Sequence, residues 1–369
     1  MLLEDYKEGG VDVGALDGIR VLDLSRLLPG PYCSMLLADF GAEVIKIEEP
    51  GRGDYSRSFP PFQNGFGYWH LQLNRNKKSV VLDLKSDAGR AAFLKLAQTA
   101  DVVLESYRPG VLKRLGIDYE TVSRLNPKIV YCAITGYGKR GPLVDQADHD
   151  IGYVSLAGMS ILMAVRHAEQ TGTGQEIDIS LYNTALTLMP GAASLYFGSG
   201  FVAERGNNWL TGAYANYNIY ETRDGRYVSV GCLEKKFWSN LCLALDRADL
   251  IDALDDESQH ERVKDELTEI FRTKTMHEWT ACLEGKDTCV TPVLNFDEAL
   301  AAEQTRANAM VLTVEDEEIG TYKQLGFAMK MSATPGTLQK RAPRLGEDTE
   351  AVLRGCGLSE AELDLLTKE

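Results

Sequence analysis

The sequence predicts an α/β protein built on a parallel sheet with helices on both faces. Three observations carry that expectation. Short apolar strands alternate with helical segments between residues 18 and 135, the pattern of strands joined by crossover helices. The stretch RVLDLSRLLPGPYCSMLLADFGAEVIKIEEPGRGD, residues 20–54, reads as strand, tight turn, helix and strand, a unit that places a ligand at the strand tips. No G-x-G-x-x-G follows its first strand, so the dinucleotide fingerprint is missing and NAD or FAD is not the expected ligand.

Each element follows in order. Residues 1–17 read as a loose leader. Val21–Leu24 is a short apolar strand, Leu28-Pro29-Gly30-Pro31 a tight turn, Cys33–Phe40 has helical spacing, and Gly41 ends it before a second strand at Val44–Ile47. Strands in SVVLDL, DVVLES and IVYCAI alternate with helices at Asp87–Gln98 and around Val111–Leu115. TGYGKRGP, residues 135–142, is a glycine-rich turn; a helix over 150–168, a short strand in TGTGQEIDIS and a helix over Leu181–Ser194 follow. The character changes near residue 200, where aromatic and β-branched residues alternate around Arg223-Asp224-Gly225 as a hairpin. Helices dominate 235–285, TPVLNFDEAL reads as a strand and a capped helix, and a last helix spans Ser359–Thr367 with a Ser cap.

The 369 residues allow one to three domains, and 44% hydrophobic with 25% charged residues is ordinary globular usage. No apolar run of about 18 residues predicts a membrane span, and MLLEDYKEGG does not read as a signal peptide. Seven scattered cysteines without a C-x-x-C pair point to reduced thiols in a cytoplasmic protein, not to a disulfide frame or a metal site. The net charge of −15 argues against nucleic acid as a partner. Residues 51–140 nevertheless hold 15 Lys and Arg against 7 Asp and Glu. Such an island suits one anionic small ligand, although a solvated basic face explains it as well.

Chemistry-bearing residues are few. His149 stands in Asp148-His149-Asp150 near a helix start. The helix dipole there favours a neutral imidazole able to accept a proton, whereas its two aspartates favour the cation. Glu234 follows an apolar strand and opens an aromatic helix. It could orient an imidazole or exchange protons, or simply serve as a first-turn acid. Arg75, Lys77 and Lys78 precede a strand, and Arg108 follows one. Arg108 therefore lies at a strand tip, where a guanidinium can grip phosphate with two hydrogen bonds. Gly136, Gly138 and Gly141 would let a backbone approach a ligand closely, as would any surface turn. No H-E-x-x-H, Walker A or G-x-S-x-G sequence occurs.

Taken together, LDGIRVLDLSRLLPGPYCSMLLADFGAEVIKIEEPGRGD, LNRNKKSVVLDLK, ADVVLESYRPGVLKRLGIDYETVSRLNPKIVYCAITGYGKRGP, DHDIGY, EQTGTGQEIDISLYNTAL, ETRDGRYVSVGCLEKKFW, TPVLNFDEAL and LGEDTEAVL resemble the class III CoA-transferases, the family that also holds the alpha-methylacyl-CoA racemases. The resemblance runs from about residue 17 to the C-terminus. It implies a Rossmann-like large domain built from both chain ends (18–195 and, after a return linker, within 301–369), a linker at 196–215, and a smaller α+β middle domain at 216–300. It also implies an interlocked homodimer and coenzyme A, carried as an acyl-CoA substrate. By position, Leu28, Pro29, Gly30, Arg75, Leu82, Lys85, Ser106, Tyr107, Arg108, Arg114, Gly136, Tyr137 and Gly138 match the family's CoA contacts.

The histidine of H-D-I-x-Y and the glutamate after V-G-x-L resemble the racemase branch, so His149 and Glu234 become the catalytic candidates. The implied reaction is removal of the α-proton beside the thioester and its return through an enolate. CoA transfer between carboxylic acids through an aspartyl intermediate is the alternative, and a CoA-binding relative without turnover a further one. Two departures stand out. Between Ser160 and Ile161 the family carries roughly two to three dozen further residues, a loop-length stretch that bears the catalytic aspartate of both reactions and is absent from this sequence, either as a mobile loop left out of it or as a true deletion. Glu49 stands where the family usually has Arg in I-E-R-P, which weakens one expected phosphate contact.

Overall fold

The computed structural model describes residues 14–139, 142, 144, 154–202, 204, 206 and 211–367. The chain divides into two compact units, Met1–Leu188 with Arg306–Glu369, and Met189–Thr305. In the first unit six β-rich runs become parallel strands: β1 (Arg20–Asp23), β2 (Glu43–Glu48), β5 (Lys77–Val81), β6 (Val102–Glu105), β7 (Val130–Thr135) and β8 (Glu176–Ser180). Two-residue strands β3 (Phe62–Gln63) and β4 (Phe66–Gly67) form a small separate hairpin. The order in the sheet is β5-β2-β1-β6-β7-β8. The chain thus starts in the middle, builds outward one way through β2 and β5, then reverses through β6, β7 and β8. This is a doubly wound order, and its reversal lies between β1 and β6.

Both sheet faces are covered, which is why the strands read as continuous apolar runs. One face packs Leu22, Ile45, Val80, Val103 and Tyr131 against Phe93 and Leu96 of the helix Asp87–Ala97. Val352, Leu353 and Leu363 from the far end of the chain join the same core. That end is sewn to β5 by Asp348 N–H on Ser79 O (3.0 Å) and Val81 N–H on Thr349 Oγ1 (3.0 Å). The opposite face packs Val21, Val44, Leu104 and Cys132 against two helices, Pro29–Asp39 and Val154–Thr171. The antiparallel hairpin β12 (Val311–Asp316) and β13 (Gly320–Leu325) completes this unit.

Two helices depart from expectation. The first begins at Pro29, four residues before Cys33, because proline at the first helical position loses no needed donor and has its φ preset. The helix expected over Leu181–Ser194 is two helices, Leu181–Thr187 and Pro190–Ser199. Pro190 has no N–H to continue the first and opens the second.

The second unit carries the antiparallel sheet β11-β10-β9, with β9 (Tyr217–Glu221) and β10 (Tyr227–Gly231) joined at the expected turn and β11 (Val290–Pro292) at the edge. Its helices Lys235–Ala244, His260–Phe271 and Met276–Leu283 bring Trp238, Leu241, Leu267, Phe271 and Trp279 onto Tyr220, Val228 and Val230. Among the described residues no helix is long and apolar enough to cross a membrane.

Candidate active site

In an open parallel sheet the crevice outside the carboxyl ends, at the reversal of strand order, is the ligand position. Here it lies between the turn after β1 and the turn after β6. The two turns are tied together. Arg26 N–H donates to Ser106 Oγ (3.2 Å), and the Arg26 guanidinium donates to Tyr55 Oη (3.1 Å), Tyr107 Oη (3.2 Å) and the Glu49 carboxylate (3.3 Å). The same guanidinium lies over the rings of Tyr55 and Tyr107, at 5.4 and 5.1 Å, close enough for cation–π attraction. Arg26 was not among the expected site residues. It follows a strand tip just as Arg108 does, so the rule that singled out Arg108 would have found it.

Buried charge holds the first turn in shape. Leu27 adopts a left-handed conformation, φ +66°, which a leucine keeps only under constraint. Asp54 Oδ1 accepts its N–H (3.3 Å), while Asp54 Oδ2 pairs with Lys46 Nζ (2.8 Å). Lys46 also donates to Ser25 O (2.9 Å), and Lys77 donates to Pro31 O (2.9 Å), Asn74 Oδ1 (3.0 Å) and Asp23 Oδ2 (3.2 Å). All four charged groups are buried, so each survives only because it is paired and hydrogen-bonded. Burial lowers the Lys77 ammonium to about 8 although Asp23 opposes it. Burial pushes the Asp54 carboxyl up, but Lys46 and hydrogen bonding from Ser56 together outweigh it and leave it below the usual carboxylate range. Gly30 is required for packing, since a Cβ there would collide with the Ser25 side chain.

The sheet brings most of the expected ligand residues to this one edge. Leu28, Pro29 and Gly30 follow β1; Leu82 and Lys85 follow β5; Ser106, Tyr107, Arg108 and then Arg114 follow β6; Gly136, Tyr137 and Gly138 follow β7. Gly138 takes φ +87°, and the Tyr137 ring rests 5.9 Å from that of Tyr182. Arg75 is the exception and needs correcting. It precedes β5, at the amino edge of the sheet, and is only 2% exposed. Its guanidinium is spent on both Asp39 oxygens and on Leu325 O (2.6 Å). It is a packed structural group, buried out of reach of a phosphate. Lys77, also expected on a solvated basic face, is buried as described above.

Ion pairing resolves the basic island. Arg57, Arg75, Lys77, Lys78 and Lys139 pair with Glu48, Asp39, Asp23, Glu43 and Glu176. Among the described residues, Arg52, Lys85, Arg108 and Arg114 make no ion pair and follow carboxyl strand ends; Arg124 and Lys128, at the amino edge, are also without one. Most of the island's charge is structural, and four of its remaining cations sit where an anionic ligand would enter.

The two catalytic candidates are placed unequally. His149 lies outside the described residues. Glu234 is exposed in the second unit, as the residue before the helix Lys235–Ala244, and its side chain caps nothing. The Cys289 thiol is raised by burial and then by the nearby Glu234 carboxylate. Among the described residues no group of three or more His, Cys, Asp or Glu side chains is placed to hold a metal.

The sequence signature of CoA-transferase family III matches residues 16–160 and 154–349. The chain belongs to CoA-transferase family III. A family III protein, the alpha-methylacyl-CoA racemase of Homo sapiens, is 32% identical to this chain over 388 residues, covering 96% of this chain and 97% of the racemase. The succinyl-CoA:glutarate CoA-transferase of Homo sapiens is 30% identical, covering 93% and 86%. The crystal structure of a CAIB/BAIF family protein from Brucella suis superposes with a TM-score of 0.79 at 25% identity, covering 94% of this chain and 100% of that one. Family III membership makes the chain one of a family of enzymes, with both racemases and transferases among its relatives.

The comparisons also locate the gap. The racemase alignment, 388 residues, is longer than this chain's 369, so the racemase holds residues with no counterpart here. The two stretches matched by the family signature meet at 154–160, inside the helix Val154–Thr171. That helix runs unbroken through Ser160–Ile161. Ala157, Ile161, Ala164, Val165 and Ala168 are all buried, a spacing that keeps one helical stripe on the core across the junction. Met159, Leu162 and Met163 remain exposed on its other side.

Proposed function

We propose that the protein is an acyl-CoA thioester enzyme, racemase-like, that removes and returns the α-proton beside the thioester. The observation that carries the ligand is the carboxyl edge itself: the helix Pro29–Asp39 begins there, and Arg52, Lys85, Arg108 and Arg114 follow strand ends on the same edge without carboxylate partners among the described residues. A helix start with nearby cations suits the phosphates of coenzyme A. Leu28, Pro29, Gly30, Leu82, Lys85, Ser106, Tyr107, Arg108, Arg114, Gly136, Tyr137 and Gly138 are the residues assigned to it. The proton leaves the α-carbon for one base as the thioester carbonyl takes up the electron pair, and an acid returns a proton to the opposite face. His149 is assigned as one acid/base and Glu234 as its support.

The alternative within the family is CoA transfer between carboxylic acids. A third reading, a CoA-binding protein without turnover, is favoured by one observation, the continuous helix through Ser160–Ile161.

We also assign the active form as an interlocked cytoplasmic homodimer. Residues 179–203 hold no charged side chain, and the helix Pro190–Ser199 within them buries none of its residues, with Phe197 83% exposed. An apolar helix left in water calls for a covering surface, and a second copy supplies one. All seven cysteines are free thiols, in keeping with a reducing compartment.

The deciding experiment incubates the enzyme with a 2-methylacyl-CoA in deuterated water without any acceptor acid. Deuterium entering the α-position supports the racemase-like reading, and His149→Ala should abolish it while keeping CoA affinity. CoA appearing on an added free acid supports transfer. Binding without either reaction supports the third reading.

A further inference from the structure

Glu105 is a buried carboxyl that the reaction above does not use. It ends β6, at the reversal point of the sheet, and is 5% exposed. Its Oε2 accepts the N–H of Tyr107 at 2.7 Å. That hydrogen bond bends the chain just past the strand and fixes the Ser106–Arg108 turn. The turn carries three groups assigned to the ligand, and Tyr107 Oη in turn supports Arg26.

The surroundings bias this carboxyl toward holding a proton. Tyr107 faces it from its own turn; Tyr131 and Cys132 on β7, Lys139 beyond β7, and Glu176 and Asp178 on β8 lie around it. The one cation in that set is committed elsewhere: Lys139 Nζ pairs with Glu176 (2.5 Å), and its backbone N–H donates to Asp178 (2.8 Å). Burial, with Glu176 and Asp178 adding to it, lifts Glu105 to about 7 against the pull of the Tyr107 N–H and of the Lys139 charge. A bond from an N–H to a carboxylate is stronger than one to a neutral carboxylic acid.

We propose that Glu105 is a positioning residue whose ionised carboxylate clasps the Tyr107 N–H and sets the Ser106–Arg108 turn for an acyl-CoA ligand, the clasp loosening on protonation. The inference rests on the acyl-CoA reading and extends it to a residue that never touches the ligand. Glutamine in this position keeps the shape and an acceptor but is locked in the neutral state.

The test titrates CoA by calorimetry from pH 5.5 to 8.5 into the wild-type protein and Glu105→Gln, with thermal unfolding in the same buffers. Titration of the ligand's own phosphate is common to both proteins and cancels in their ratio. The clasp predicts equal affinities at pH 5.5 and a wild type about fivefold tighter at pH 8.5 (about 1 kcal/mol), with the ratio turning near pH 7. A purely structural role would shift affinity equally at every pH. Parallel profiles in the two proteins overturn the clasp alone; no CoA binding by the wild type at any pH overturns the acyl-CoA reading and the clasp with it. If Glu105→Gln does not fold, hydrogen exchange at the Tyr107 amide of the wild type carries the test. Protection, corrected for intrinsic exchange, should rise through pH 7, and flat protection overturns the proposal.

Discussion

Arg75 and Asp39 meet in a two-pronged ion pair, Nε to Oδ1 at 2.9 Å and one terminal nitrogen to Oδ2 at 2.7 Å, almost wholly out of water. The pair fastens the approach to β5 to the last turn of the helix Pro29–Asp39. Removing one partner strands the other charge in the core, whereas removing both leaves only a volume to refill. Arg75→Ala should therefore lose about 3–5 kcal/mol in denaturant unfolding. Arg75→Met combined with Asp39→Leu should recover most of that loss. CoA affinity, measured where each protein is folded, should not change. A selective loss of affinity in Arg75→Ala would return Arg75 to the ligand.

The unpaired cations give the next expectation. Arg108 and Arg124 are both exposed and both free of ion pairs among the described residues, but they lie at opposite edges of the sheet. Arg108→Ala should weaken CoA binding about tenfold or more, the scale of a charge-assisted hydrogen bond. Arg124→Ala should leave it unchanged. Neither should alter stability by more than about 0.5 kcal/mol. Equal effects of the two substitutions would mean that general basicity, not the strand tips, attracts the ligand.

Gly30 links packing to the site. Alanine at this position must push against Ser25, whose N–H and hydroxyl are both held by Asp23. Gly30→Ala should cost about 1–3 kcal/mol of stability through overpacking. It should also lower CoA affinity, because Ser25 and Leu28 shape the same turn. Calorimetry and thermal unfolding of the one variant measure both effects.

His70 supplies a pH dependence with a definite sign. Its Nε2 donates to Pro343 O (3.0 Å) and its Nδ1 faces the Asn74 amide (3.1 Å). Burial, and then the Arg57 charge, lower it to about 3 from the usual 6.5. The unfolded chain therefore binds the proton that the folded chain refuses. This contribution to stability is full above pH 6.5 and is lost as pH falls toward 3. Between pH 7 and 5.5 the loss should be about 1 kcal/mol. Glu105, raised to about 7, contributes the opposite slope in this window, so the readout is the difference between proteins. The stability change from pH 7 to 5.5 in urea unfolding should differ by about 1 kcal/mol between wild type and His70→Gln, and identical changes would assign the effect to another group.

Much of the first unit was legible because its strands are short β-branched runs between turn residues, as in VIKI and IVYCAI. Two buried faces make such runs uniformly apolar, and the crossover pattern then allows few sheet orders. The ligand edge followed from the same logic, since Arg108 and the Gly136–Gly138 turn stand directly after strands. Arg75 misled because its position matches the family's ligand contacts while nothing local shows that it is buried. Its partner Asp39 is 36 positions away, and no local pattern announces so distant a pair. Glu105 was hidden for a related reason: a strand-end glutamate acquires its character from burial in the folded sheet, to which Glu176 and Asp178 on β8 add. Pro190 was visible in the sequence, but the apolar run around it masked the break it makes.

Hydrogen exchange of the wild-type protein with and without CoA tests the central assignment most directly. Protection should rise together in residues 24–30, 82–85, 106–108 and 136–138, four segments far apart in sequence that share the carboxyl edge of one sheet. Residues 124–128, at the opposite edge, should not respond. Saturating CoA that leaves the four segments unprotected, or protects the amino edge instead, would contradict the account.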